Sequence, residues 1–183
     1  VARLKPFVEA VIGAALRDHD IVCINSGVWW NLVKLRTAGF DRIRLKDITP
    51  LHHAAITALV QIIEESTSDA LIVWRPALPV HDLCDSHVAP AAPEWEWTDI
   101  FMEREGFALQ QLDALSRRKR NLFVFDATRV FLNRSDAHPL GDCLHYCALS
   151  EFSPLRTFTQ LLMRELANRR GTPTRNNKEQ QQQ

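Results

Sequence analysis

The 183-residue chain is 46% hydrophobic, enough for one domain with a sizeable core. Its 22 basic residues balance 22 acidic ones, which leaves no global field to draw it to nucleic acid or to an anionic membrane. No apolar stretch approaches the ~18 residues that span a bilayer, so any membrane attachment is expected through a segment outside this sequence.

A helical pattern runs from about Leu4 to Arg17. "DIVCIN", Asp20 to Asn25, is a short apolar run ending near Gly27, the pattern of a buried strand, and Cys23 within it is expected as a small buried hydrophobe. A second helix is expected over about Leu51 to Glu65, with Ile56, Leu59, Val60 and Ile63 as its apolar residues. "ALIVWR", Ala70 to Arg75, is the next strand, stopped by Pro76 and Pro79. A loop rich in proline and tryptophan, "PALPVHDLCDSHVAPAAPEWEW", leads to a third helix over about Ile100 to Arg118. Its basic end, "SRRKR", complements the helix dipole. "NLFVFDA", Asn121 to Ala127, reads as a third strand, and a last helix covers about Pro154 to Asn168. The domain is expected to occupy residues 1–168, followed by a polar, disordered tail over 169–183.

Helices and buried strands alternate and no hairpin signal intervenes. That order predicts an α/β fold with a parallel sheet covered by helices on both faces. In such sheets ligands bind beyond the carboxyl ends of the strands. Those ends carry Asn25-Ser26-Gly27, the stretch from Arg75 to His81, and the loop after Asp126. The chemistry-bearing residues are therefore expected to share one rim.

The densest of them lie in "DAHPLGDCLHYC", Asp136 to Cys147. Asp142 and His145 stand three apart, which puts both on one face of a helical turn. A carboxylate there can hold one imidazole nitrogen, fix the tautomer and leave the other as a general base, two-thirds of a hydrolase triad. The spacing equally fits a capping aspartate beside a surface histidine. His81, Cys84, His138, Cys143, His145 and Cys147 offer zinc-type donors, but their irregular spacing lacks the pattern of a structural site and no metal is expected. In an oxidising compartment a disulfide would join Cys84 to Cys143 or Cys147, pinning the proline-rich loop to the Asp142–His145 turn. Asn25 can donate its amide to a developing oxyanion or simply shape the turn before Gly27. Trp29, Trp30, Trp95 and Trp97 can stack on sugar rings in a rim cleft or pack partly buried.

Four segments in order resemble one family. "DIVCINSGVWWN" resembles the strand and Asn-x-Gly-x-Trp-Trp turn of the PC-esterase family, which includes the trichome-birefringence-like polysaccharide O-acetyltransferases. "WRPALPVH" resembles its Arg followed by Ser-Pro-x-His. "VFDATRVFLNRSDAHP" resembles its strand, Thr-Arg segment and Asp-Ala-His-Pro. "GDCLHYC" resembles its Asp-Cys-x-His-Trp-Cys block. The resemblance spans roughly Asp20 to Leu166.

It implies an SGNH/GDSL-type three-layer α/β/α sandwich and acyl-ester chemistry on a carbohydrate. Asp142 would be the orienting carboxylate and His145 the base, with Asn25 and Gly27 in a block near the active site where an oxyanion role is open. Trp29, Trp30, Arg75 and His81 become substrate-side candidates. Cys143 and Cys147 match positions held in disulfides in secreted or Golgi-lumenal relatives, which implies the secretory pathway. No permanently bound cofactor is implied; an acetyl donor serves as co-substrate and a carbohydrate as acceptor. Relatives carry their serine in a Gly-Asp-Ser block upstream of the Trp-Trp segment, and this sequence has none. With Val1 rather than Met at its start, the chain is expected to be a C-terminal portion incomplete at its N-terminus, with the nucleophile upstream. Ser86 in "CDSH" and Ser26 are the internal candidates. Val28 stands where many relatives have His, Tyr146 replaces Trp, and "ALSEFSPLRTF" replaces the Leu-Pro-Gly-x-Pro-Asp-x-Trp-Asn stretch, so the acceptor-binding edge is expected to differ. The alternative is a catalytically inactive carbohydrate-binding or scaffold module of the same fold.

Overall fold

The computed structural model describes residues 4–25, 30, 32–78, 98–126, 128–131 and 154–171. In chain order these form α1 (Leu4–Asp18), β1 (Ile21–Ile24), α2 (Leu32–Thr37), α3 (Leu45–Glu65), β2 (Leu71–Trp74), α4 (Thr98–Ser116), β3 (Leu122–Val124), α5 (Thr128–Phe131) and α6 (Pro154–Gly171). The strands make one parallel sheet in the order β1-β2-β3. The alternation of helices with parallel strands expected from the sequence is what the chain adopts. Among the described residues no helix is long and apolar enough to cross a membrane.

The register explains where the core sits. Val22, Ile72 and Leu122 stand side by side across the sheet, as do Ile24, Trp74 and Val124. Side chains alternate faces along a strand, so these six residues make two rows on one face. They pack with Leu16 of α1, with Ile56, Leu59, Ile62 and Ile63 of α3, and with Ala108, Leu112 and Leu115 of α4. Both crossovers step the same way along the sheet, and crossovers of one hand then deliver α3 and α4 to the same face. The two helices pack together there, and α1 lies against α3 in the same layer.

Cys23 departs from its expectation: it is exposed. It points to the face opposite Val22 and Ile24, and among the described residues β1 lies at one edge of the sheet. Ile21, on the same side of the strand, is 40% exposed. An apolar strand at a sheet edge buries one row of side chains, so its run of hydrophobic residues overstated its burial.

α3 begins six residues before the sequence pattern placed it. Pro50 lies inside the helix rather than at its start. Proline removes one intrahelical hydrogen bond and strains the preceding turn. Burial of Ile48 against Leu35, with Trp30, Ile43 and Leu45 packed around them, anchors that first turn. The Asp47 carboxylate also accepts from the Arg44 backbone N–H at 3.1 Å, one half of a capping box, and takes the Arg44 guanidinium at 2.8 Å and 3.0 Å. α2, absent from the sequence reading, ends in a Schellman turn. Phe40 N–H donates to the Leu35 carbonyl and Gly39 N–H to that of Arg36, with Gly39 at a φ of 91° that favours glycine.

The amino end of the sheet is tied by side chains. Asn121 Nδ2 donates to the carbonyls of Ser68 and Ala70, both at 2.9 Å. Ser68 Oγ donates to the Leu16 carbonyl, and Lys119 Nζ to that of Ser66. These contacts join the entries of β2 and β3 to the end of α1, on the side away from the carboxyl rim. Replacing Asn121 by alanine is expected to lower the unfolding free energy by about 1–3 kcal/mol, read by urea denaturation. A variant as stable as the parent would show that water replaces both bonds without cost.

Candidate functional site

Parallel pairing brings Asn25, Arg75 and Phe125, each following its strand, to one rim. The backbone ladder continues past the strand ends: Arg75 N–H donates to the Ile24 carbonyl at 2.9 Å and Phe125 N–H to the Trp74 carbonyl at 2.8 Å. The Asn25 side chain bridges the same two segments, its Nδ2 donating to the Arg75 carbonyl at 2.8 Å. One of the two amide hydrogens of Asn25 therefore holds β1 to β2, and the other is the one with which it can serve an oxyanion. Asp126 accepts from Thr128 N–H at 2.9 Å, an Asx turn that opens α5.

Helices α3 and α4 start at this rim, and their N-terminal halves supply the polar groups around it. Arg104 of α4 donates through Nη1 to the Trp30 carbonyl at 2.6 Å and through Nε to Thr49 Oγ1 at 3.2 Å. Its neighbour Glu105, only 5% exposed, accepts from Ala77 N–H at 3.1 Å. Adjacent helical residues point about 100° apart. One therefore reaches the segment after β1 and the other the segment after β2. Trp30, half-buried, makes a T-shaped contact with His52 of α3, with ring centroids 5.1 Å apart. His53 stacks on Phe107 of α4 at 3.9 Å. His53 Nε2 is buried and has no hydrogen-bond partner among the described residues.

The electrostatics follow from burial. His52 is 1% exposed. Burial, with smaller contributions from the charges of Arg104 and His53, pushes its pKa from the usual 6.5 down to about 3. A base so weak is badly matched to proton transfer near neutral pH, which makes His52 a neutral packing residue rather than a general base. Burial also lowers the pKa of Arg104, offset in part by Glu103 and Glu105. That group still carries its charge at any physiological pH. An open groove of about 680 Å³ is lined by Phe40, Arg42, Ile43, Asp47, Pro50 and Leu51. None of these belongs to the polar cluster, so the groove and the cluster are separate features.

Of the residues singled out in the sequence, Asn25, Trp30 and Arg75 are described. Asn25 and Arg75 meet through the amide–carbonyl bond, and Trp30 is joined to α3 and α4. Asp142, His145, Gly27, Trp29, His81, Ser26, Ser86, His138, Cys84, Cys143, Cys147, Trp95 and Trp97 lie outside the described residues. The sequence reading missed His52, Arg104 and Glu105. His52 carried a signal: it precedes Ile56 by four residues and Leu59 by seven, on the apolar stripe of α3, where a polar side chain needs a reason. Arg104 and Glu105 sit in "MEREGF", a charged run that reads as a solvated face. No known family model matches the chain, and no curated protein matches it.

Proposed function

We propose that this chain carries the base and orienting carboxylate of an SGNH-type acyl-ester enzyme acting on a polysaccharide or glycan, an O-acetyltransferase or acetylesterase. What carries this reading is the ordered pair of Asp136-Ala137-His138-Pro139 and Asp142-Cys143-Leu144-His145-Tyr146-Cys147, which resembles the PC-esterase family. Support comes from the parallel sheet, whose carboxyl rim receives Asn25 and Arg75, the place where α/β folds of this order do their chemistry. The finer architecture in this reading is a three-layer α/β/α sandwich.

In the mechanism a serine, carried in a Gly-Asp-Ser block upstream of the Trp-Trp segment, attacks the acyl carbonyl of the donor. His145 takes the serine proton and Asp142 stabilises the imidazolium. His145 then gives the proton to the leaving group, which departs from an acyl-serine. A sugar hydroxyl next loses its proton to His145 and attacks the acyl-serine, and His145 returns the proton to the departing serine oxygen; water in place of the sugar makes the enzyme an esterase. Asn25 or backbone N–H groups hold the oxyanion in both steps.

The test uses the full-length protein and a chromogenic acetyl ester. His145→Ala is expected to cut turnover by about 10⁴-fold or more with the fold intact, whereas His138→Ala mainly affects folding. Equal loss of turnover with intact folding in both variants would mean that the base is wrongly assigned. The second reading is a catalytically inactive carbohydrate-binding or scaffold module of the same fold, which a complete gene without a Gly-Asp-Ser block would favour. A full-length protein that binds glycan but turns over no acetyl ester would establish it.

A further inference from the structure

We propose that Arg104 is a positioning residue for the rim: its guanidinium, by holding the Trp30 carbonyl and the Thr49 hydroxyl together, fixes the outgoing end of the segment that begins at Asn25. This rests on the acyl-transfer reading and deepens it, since Asn25 is the oxyanion-side residue there. Asn25 and Trp30, the described residues between β1 and α2, are both tied. The Asn25 amide is bonded to the Arg75 carbonyl at 2.8 Å. Trp30 is gripped twice, by Arg104 on its carbonyl at 2.6 Å and by His52 in a T-shaped contact with its ring.

The chemistry of the grip points to placement rather than to stability alone. Arg104 is partly withdrawn from water, a cost for a charged group, and both of its acceptors here are neutral. An apolar side chain of similar volume would pack α4 against α3 without that cost. What only a guanidinium supplies is a rigid, planar fork that sets two acceptors at a fixed separation. Those acceptors lie on different elements, Trp30 before α2 and Thr49 on α3. The neighbouring Glu105 does the same for the segment after β2 through Ala77 N–H. Two consecutive residues of α4 thus set the spacing between the two rim segments whose entries carry Asn25 and Arg75.

The experiment compares full-length wild type, Arg104→Ala, Arg104→Lys and His145→Ala on a chromogenic acetyl ester, with far-UV circular dichroism to confirm folding. Misplacing a catalytic segment by a fraction of an ångström to an ångström costs up to about 100-fold. Arg104→Ala is expected to lose about 10- to 100-fold in kcat with little change in KM. Added guanidinium ion at millimolar concentration is expected to restore part of that loss, and sodium at equal ionic strength is not. Arg104→Lys covers the case in which the alanine variant fails to fold. It keeps the charge but cannot span both acceptors, and is expected to lose kcat as well. Wild-type kcat in a folded Arg104→Ala or Arg104→Lys protein, with His145→Ala inactive, overturns the positioning role and leaves the acyl-transfer reading standing. Loss of kcat in folded Arg104→Ala that guanidinium does not restore also overturns it. No turnover by wild type overturns the acyl-transfer reading and this inference with it.

Discussion

Replacing Trp74 by alanine is expected to lower the unfolding free energy by about 3–5 kcal/mol, a large part of the roughly 5–15 kcal/mol that holds an ordinary domain together. Trp74 is 1% exposed and the largest of the fully buried side chains among the described residues. It stands in the middle strand between Ile24 and Val124, under the helical layer. The cavity left by truncation would thus open on both neighbouring strands. Trp74→Phe should behave differently. The indole Nε1 is buried and has no hydrogen-bond partner among the described residues, and an unsatisfied buried donor costs about 1–3 kcal/mol. Phenylalanine gives up ring volume but also removes that donor, so the two effects offset and the variant is expected to fall within about 1 kcal/mol of the parent. Urea denaturation of both variants measures the contrast. If the phenylalanine variant is as damaged as the alanine one, the indole N–H is satisfied in solution. Because the Trp74 carbonyl receives Phe125 N–H at the strand end, the alanine variant should also loosen the rim where Arg75 follows.

The elements that were legible in the sequence are those with long or dense apolar patterns. The stripe of Ile56, Leu59, Val60 and Ile63 gave α3, and "LIVW" gave β2 as a strand buried on both faces. α2 and α5 were not legible, because six and four residues are too few to establish a period of 3.6. The start of α3 was hidden by Pro50, which reads as a boundary until the burial of Ile48 one turn earlier is known. Cys23 misled for the opposite reason: composition reports that a strand is apolar, but not that it lies at an edge.

The site divides along the same line. Asn25 and Arg75 were read at the strand ends because a parallel sheet has a single carboxyl rim, a rule that needs only element order. The partners that hold this rim, Arg104 and Glu105, come from 50 or more and 28 residues away in sequence to Thr49, Trp30 and Ala77. No local pattern encodes contacts of that range. A charged pair inside a helix is usually solvated, and only the packing of α4 on α3 turns this one inward.

The stability of the protein is expected to fall between about pH 6.5 and about pH 3 through a component that belongs to His52. In the unfolded chain its imidazole titrates near 6.5; in the folded chain burial holds it neutral down to about 3. Between those values the unfolded state binds a proton that the folded state refuses, so stability rises with pH across the window. The contribution is fully present above 6.5 and is lost progressively as pH drops toward 3. Its size is on the order of a few kcal/mol. The groups acting on it come from two helices: Arg104 of α4, and His53 beside it on α3. The carboxylates of the chain also titrate in this range, so the diagnostic quantity is a difference. His52→Gln carries the same carboxylates without the imidazole, and its stability should decline less steeply than that of the parent from pH 6.5 down to the acid limit. Parallel curves for the two proteins would show that His52 is accessible to protons in the folded state, and the account of the rim as a fixed frame around Trp30 would fail. If the curves diverge as expected, an acid loss of activity has a structural source, because the unfolded chain takes up a proton that buried His52 refuses. The His52 variant separates such a loss from any that arises in the chemistry of the proposed site.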